Sequence, residues 1–92
     1  MGIEKQTENK IKKYLKEKNI YYFKHHGNKF SAVGVPDIIA CHKGRFIALE
    51  VKAPHGKTSK LQDYHIEAIK RSGGIAHVVK TLEEVEDIIE TI

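Results

Sequence analysis

The sequence has few of the features that take a chain out of the cell or into a membrane. It holds one cysteine, Cys41, in 92 residues. No disulfide can close within the chain, and the fold must hold without covalent staples. No apolar run approaches the ~18 residues that cross a bilayer as a helix. The opening stretch MGIEKQTENK lacks the apolar segment of a signal peptide. These absences predict a cytoplasmic protein in a reducing, intracellular compartment, with no membrane association. Repeats, low-complexity tracts and Pro- or Ser-rich linkers are missing as well, which predicts a single domain over residues 1–92. A domain of this size buries only roughly 60–65% of the surface its unfolded chain exposes, so a partner subunit is a natural supplement.

Charge is plentiful and unevenly placed. Residues 1–60 carry 13 Lys+Arg against 5 Asp+Glu, and residues 61–92 carry 3 against 7, so a segment of +8 precedes one of −4. A basic first two-thirds is the electrostatic footprint of a protein that meets a polyanion.

Periodicity divides the chain into alternating elements. Over residues 4–18, Ile11, Tyr14 and Leu15 recur at helical spacing among lysines, which predicts an amphipathic helix with a solvated basic face. The aromatic, β-branched run at 20–24 predicts a strand, and the Gly, Asn and Ser of 27–34 predict a loop. Two apolar runs follow, at 35–42 and 45–51, separated by Lys43-Gly44, a dipeptide suited to a tight hairpin. Pro36 stands at the first strand's start, where its missing N–H is tolerated. A second helix is predicted over 58–72, opened by Ser59-x-x-Gln62 and stopped by Gly73-Gly74. A strand at 75–80 and a last helix begun by the capping box Thr81-x-x-Glu84 complete the order αβββαβα.

The hairpin carries the chemistry. If Lys43 and Gly44 are its two loop residues, Phe46 faces Cys41, Ala48 faces Ile39, and Glu50 faces Asp37. Side chains alternate along a strand, so Lys52 emerges on the face of Glu50, and opposed residues have Cβ atoms about 4.5–5.5 Å apart. Ile39, Cys41, Phe46 and Ala48 share that face, and Ile38, Ala40, Ile47, Leu49 and Val51 form the other. Apolar residues on both faces predict a covered, central hairpin with Cys41 as a small core hydrophobe. Two opposed carboxylates in such a setting repel and lose hydration unless a cation stands between them. Oxygen ligands favour a hard ion, Mg²⁺ or Mn²⁺, with positions left open for water and a phosphate oxygen. That chemistry is phosphodiester hydrolysis, with Lys52 orienting the nucleophile or neutralising developing charge. The plainer alternative is a salt bridge of Lys52 with one carboxylate at the hairpin's open end.

Pro36-Asp37 followed by Glu50-x-Lys52 resembles the PD-(D/E)XK nuclease signature. Gly34-x-Pro36-Asp37-Ile38-Ile39, Glu50-Val51-Lys52, and Leu61-Gln62 opening a helix that ends at Ser72-Gly73-Gly74 together resemble the VRR-NUC group, with similarity also to archaeal Holliday junction resolvases. The resemblance implies a restriction-endonuclease-like α/β/α sandwich with a mixed central sheet. It also implies that Asp37, Glu50 and the Val51 carbonyl ligate the metal and that Lys52 is catalytic. An acid on the first helix joins them in such proteins. Glu8 is the choice here, because it shares a helical stripe with Ile11 and Leu15, though Glu4 lies one turn earlier. Gln62 resembles the family's helix glutamine, whose amide would reach a water or a phosphate beside the carboxylates. As the third helical residue after Ser59, it equally suits a capping box and nothing more.

Lysines offer phosphate contacts that carry no sequence information: Lys10, Lys12, Lys13 and Lys16 on the first helix, Lys24, Lys29, and Lys57 with Lys60 beyond the site, with Ser31 in the loop as a further candidate. A solvated helix face is the alternative for those farthest from the carboxylates. The resulting expectation is a Mg²⁺- or Mn²⁺-dependent DNA endonuclease. It would be structure-specific for branched or junction DNA and would act as a homodimer in repair, recombination, or phage or mobile-element biology, nucleoid-associated or phage-encoded. A catalytically silent DNA-binding module and a protein-interaction domain are the alternatives.

Overall fold

A computed structural model describes residues 2–26 and 33–92. Its elements are α1 (Ile3–Glu17), β1 (Tyr21–Lys24), β2 (Ile38–His42), β3 (Arg45–Val51), α2 (Lys60–Arg71), β4 (Ile75–Val79) and α3 (Leu82–Glu90). The expected order αβββαβα is the one observed. The sheet runs β1-β2-β3-β4, antiparallel except for the parallel pair β3/β4 that α2 connects.

The hairpin turn is the predicted one. Lys43 and Gly44 have φ of 51° and 77°, the doubly left-handed backbone of a primed two-residue turn, whose twist matches that of the flanking strands. The register follows from it: Cys41 pairs with Phe46, Ile39 with Ala48 and Ile38 with Leu49. Here β2 begins three residues later than the apolar run suggested. Pro36 has no N–H to contribute, and Asp37 takes the Val51 N–H with its side chain at 2.9 Å instead of its backbone.

Strand alternation separates two cores. Ile38, Ala40, Ile47, Leu49 and Val51 face α1 and α3 and pack with Ile11, Leu15, Val85 and Ile89. Each of these large aliphatic side chains contributes about 1.5–3 kcal/mol by leaving water. On the opposite face, Ala48 and Ala76 are small enough for α2 to settle closely through Ile66, with Ile39, Ile69 and Val78 beside it. The result is the expected α/β/α sandwich.

The expected cover over the second face is incomplete. Cys41 is exposed, not buried, and Phe46 keeps 48% of its surface in water, Tyr21 72% and Phe23 47%. α2 packs over β3 and β4 and leaves the outer face of β1 and the turn end of the hairpin bare. Cys41 is therefore a surface thiol and no core hydrophobe. Only the far end of the hairpin, where Glu50 lies 3% exposed, is enclosed on both faces.

Candidate active site

The buried end of the hairpin gathers polar groups from five elements or their flanks. Glu50 stands near the end of β3. Asp37 stands on the bend just before β2, held by two contacts: its Oδ2 accepts from Val51 N, and its carbonyl accepts from His25 N at 2.7 Å. The backbone ladder stops one pair short of Asp37 and Glu50, yet Asp37 lies close enough to Glu50 to raise its carboxyl. Lys52 places its Nζ 3.9 Å from Glu50 Oε2. The predicted trio thus converges.

Burial pushes the Glu50 carboxyl up to about 8, and the hydrogen bond and charge of Asp37 push the same way, with Lys52 opposing them and Glu4 adding a smaller repulsion. Without a cation beside it, the Glu50 carboxyl is drawn toward its protonated form.

Gln62 closes the expected capping box, and its amide also lies beside the carboxylates. Its N–H donates to Ser59 Oγ at 3.2 Å and its Oε1 accepts from Ser59 N at 2.8 Å, which closes the capping box at the start of α2. Its Nε2 then donates to Glu50 Oε2 at 3.4 Å. The helix terminus is brought close by Gly34, whose φ is +86°. A Cβ there would lie 2.9 Å from the Leu61 carbonyl carbon and 3.0 Å from Gln62 N, so only glycine lets the segment before Asp37 approach α2 this closely.

Glu8 is buried on the inward stripe of α1, as predicted, but its partners are lysines. Lys5 Nζ lies 2.9 Å and Lys12 Nζ 3.4 Å from Oε2, and Lys24 Nζ donates to Oε1. Burial alone would raise this carboxyl, but the hydrogen bonds from Lys24 and Lys5 outweigh it and hold the group at about 2. Lys24 also approaches Asp37 Oδ1, at 3.7 Å. Among the described residues, no three His, Cys, Asp or Glu side chains come together as a metal cluster. Glu8 is therefore near the carboxylate pair without joining it, and a lysine lies between.

Of the other lysines, Lys10 and Lys13 border the groove between α1 and α3 beside Leu82 and are not gathered with the carboxylates. Lys57 and Lys60 are exposed where the chain enters α2. Lys29 and Ser31 lie outside the described residues. Sequence reading missed the inward turn of Lys24. It also missed the lysine cradle of Glu8, although the i,i+3 and i,i+4 spacing of Lys5 and Lys12 to Glu8 was a usable signal. His25 carried no signal. Its Nε2 is buried without a partner among the described residues.

Solved structures share the fold. One termed "VRR_NUC domain" superposes with a TM-score of 0.81 at 22% identity, covering 98% of this chain and 97% of that one. Another, "VRR_NUC domain protein", gives 0.77 at 18% identity, covering 99% and 88%. The likeness is one of fold: a mixed sheet between helices, with an acidic pair and a lysine at the enclosed end of its hairpin. Residues 2–89 match the family model for archaeal Holliday junction resolvases, Hjc. The chain belongs to that family. No curated protein sequence matches it.

Proposed function

We propose that the protein is a divalent-metal-dependent DNA endonuclease that cuts branched DNA such as four-way junctions. The observation that carries this reading is the meeting of Asp37, Glu50 and Lys52 at one enclosed point of a nuclease fold. The donor set fits a hard cation: two carboxylates, one of them driven toward protonation by burial and by its neighbour, constitute an excess of negative oxygen that Mg²⁺ or Mn²⁺ would relieve. Asp37, Glu50 and the Val51 carbonyl would hold the ion. Such an ion supplies Lewis acidity, drawing charge from the scissile phosphate and acidifying water. Lys52 orients the attacking water and neutralises charge that builds on the phosphate. Gln62 holds Glu50 in place and turns its amide toward the same space. Lys57 and Lys60 bind the flanking backbone, with Lys10 and Lys13 as weaker contributors, and Lys29 and Ser31 complete the phosphate contacts.

A homodimer accords with the family and with the cutting of two strands by two equivalent sites. The bare apolar surface around Phe46, including a hollow of about 360 Å³ lined with His65, Ala68 and Ile69, supports pairing with a second copy. No helix among the described residues is long and apolar enough to cross a membrane. A nuclease of branched DNA would act beside intracellular DNA, in repair, recombination or phage biology.

The test incubates the protein with four-way, flapped, single-stranded and plain duplex DNA in Mg²⁺, Mn²⁺ or EDTA, beside Asp37→Ala and Lys52→Ala. Metal-dependent cutting of the branched substrates, lost in both variants, is expected. A wild type that binds DNA in a salt-sensitive way but never cuts would make it a silent DNA-binding module.

A further inference from the structure

One cation is already built into the site. The ammonium of Lys24, the last residue of β1, donates to the buried carboxylate of Glu8 and lies 3.7 Å from Asp37 Oδ1. It joins an acid on α1 to an acid on the bend before β2. A lysine stem of four carbons can also swing its charge out to solvent, and that makes this placement reversible.

We propose that Lys24 is a resident competitor of the catalytic metal: it holds Glu8 and Asp37 while no ion is bound, and ion binding expels its ammonium from between them. This rests on the metal-dependent reading given above. Two consequences follow from competition for the same oxygens. The affinity for a divalent ion is lower than the carboxylates alone would set, by the fraction of molecules in which Lys24 has left them. Ion binding also releases a positive charge at the mouth of the site, where a DNA phosphate can take it up. Metal and DNA then favour each other's binding, by the same factor in each direction.

In a Lys24 variant, Lys5 and Lys12 still flank the Glu8 carboxylate. The experiment titrates MnCl2 calorimetrically into wild type, Lys24→Gln and Lys24→Arg, and measures acetylation of each lysine in wild type by mass spectrometry with and without Mn²⁺. Lys24→Gln should bind Mn²⁺ about tenfold tighter than wild type, the gain expected if Lys24 is displaced in roughly one molecule in ten. Lys24→Arg should resemble wild type, and saturating Mn²⁺ should speed acetylation of Lys24 while Lys18 and Lys70 are unchanged. A folded Lys24→Gln that binds Mn²⁺ no tighter overturns the competition. Should that variant not fold, acetylation of Lys24 unaffected by Mn²⁺ in wild type overturns it equally. Wild type that binds no Mn²⁺ at all refutes the metal-dependent reading itself, and the competition with it.

Discussion

Glu50 and Glu8 are both buried carboxyls, and their neighbours send them in opposite directions. Glu50, pushed up to about 8 from 4.5, binds a proton more tightly folded than unfolded. The folded state then holds more protons than the unfolded one between about pH 4.5 and 8, so this group makes the metal-free protein less stable as pH rises through that window. Glu8, held down at about 2, contributes stability that is complete above about pH 4.5 and is lost as pH falls toward 2. Calorimetric melting in EDTA should show both limbs. Glu50→Gln, which keeps the shape and can still meet Asp37 and Gln62, should remove the decline between about pH 4.5 and 8. An unchanged slope would place the excess proton elsewhere. Gln62 admits a similar separation. Gln62→Glu preserves the capping box but replaces the amide near Glu50 with a carboxylate. Its melting temperature should stay near wild type at pH 7 while cleavage falls at least about tenfold. Gln62→Ala should lose about 1 kcal/mol of stability as well.

At the level of elements, the site depends on two backbone positions that carry no chemistry. Gly34 brings the segment before Asp37 against the start of α2, and Gly34→Ala meets both a left-handed φ of +86° and backbone atoms at 2.9–3.0 Å. A cost of about 1–3 kcal/mol is expected, measured by chemical denaturation, with cleavage impaired because Asp37 and Gln62 are displaced together. The other position is the hairpin turn. Lys43 adopts φ of 51°, where a non-glycine residue other than Asn or Asp is strained. Lys43→Asn should therefore stabilise the protein by about 0.5–1 kcal/mol, less the exposed hydrogen bond from Lys43 Nζ to Ile92 O at 3.2 Å. The register that aligns Asp37 with Glu50 should be unaffected, and cleavage with it.

For the whole molecule, the three layers enclose the carboxylate end of the sheet and leave the turn end open. α2 is 12 residues long and reaches Ala48 and Ala76 through its own Ile66 without crossing to β1, so Tyr21, Phe23 and Phe46 keep much of their surface in water. A homodimer predicts a solution mass of twice 10.5 kDa by light scattering. Phe46→Glu should shift the mass toward the monomer and leave each carboxylate site intact. A wild type that stays monomeric at micromolar concentration would refute the pairing.

Much of this was legible along the chain because its determinants are local. A two-residue turn fixes pairing, and period-2 alternation then assigns every residue of the hairpin to a face, so Asp37, Glu50 and Lys52 could be brought together on paper. Helical periodicity likewise put Glu8 on the inward stripe of α1. What no local rule could decide was coverage and the direction of long side chains. Cys41 has an apolar setting in sequence and a wet one in the fold, because exposure depends on how far a helix from another part of the chain extends over the sheet. Lys24 has the same freedom as any surface lysine until Glu8 from α1 and Asp37 from the bend before β2 arrive on either side of it. Two carboxylates from distant segments outweigh the hydration of one ammonium only once the tertiary structure has placed them together, and whether Lys24 faces solvent or the site is settled there.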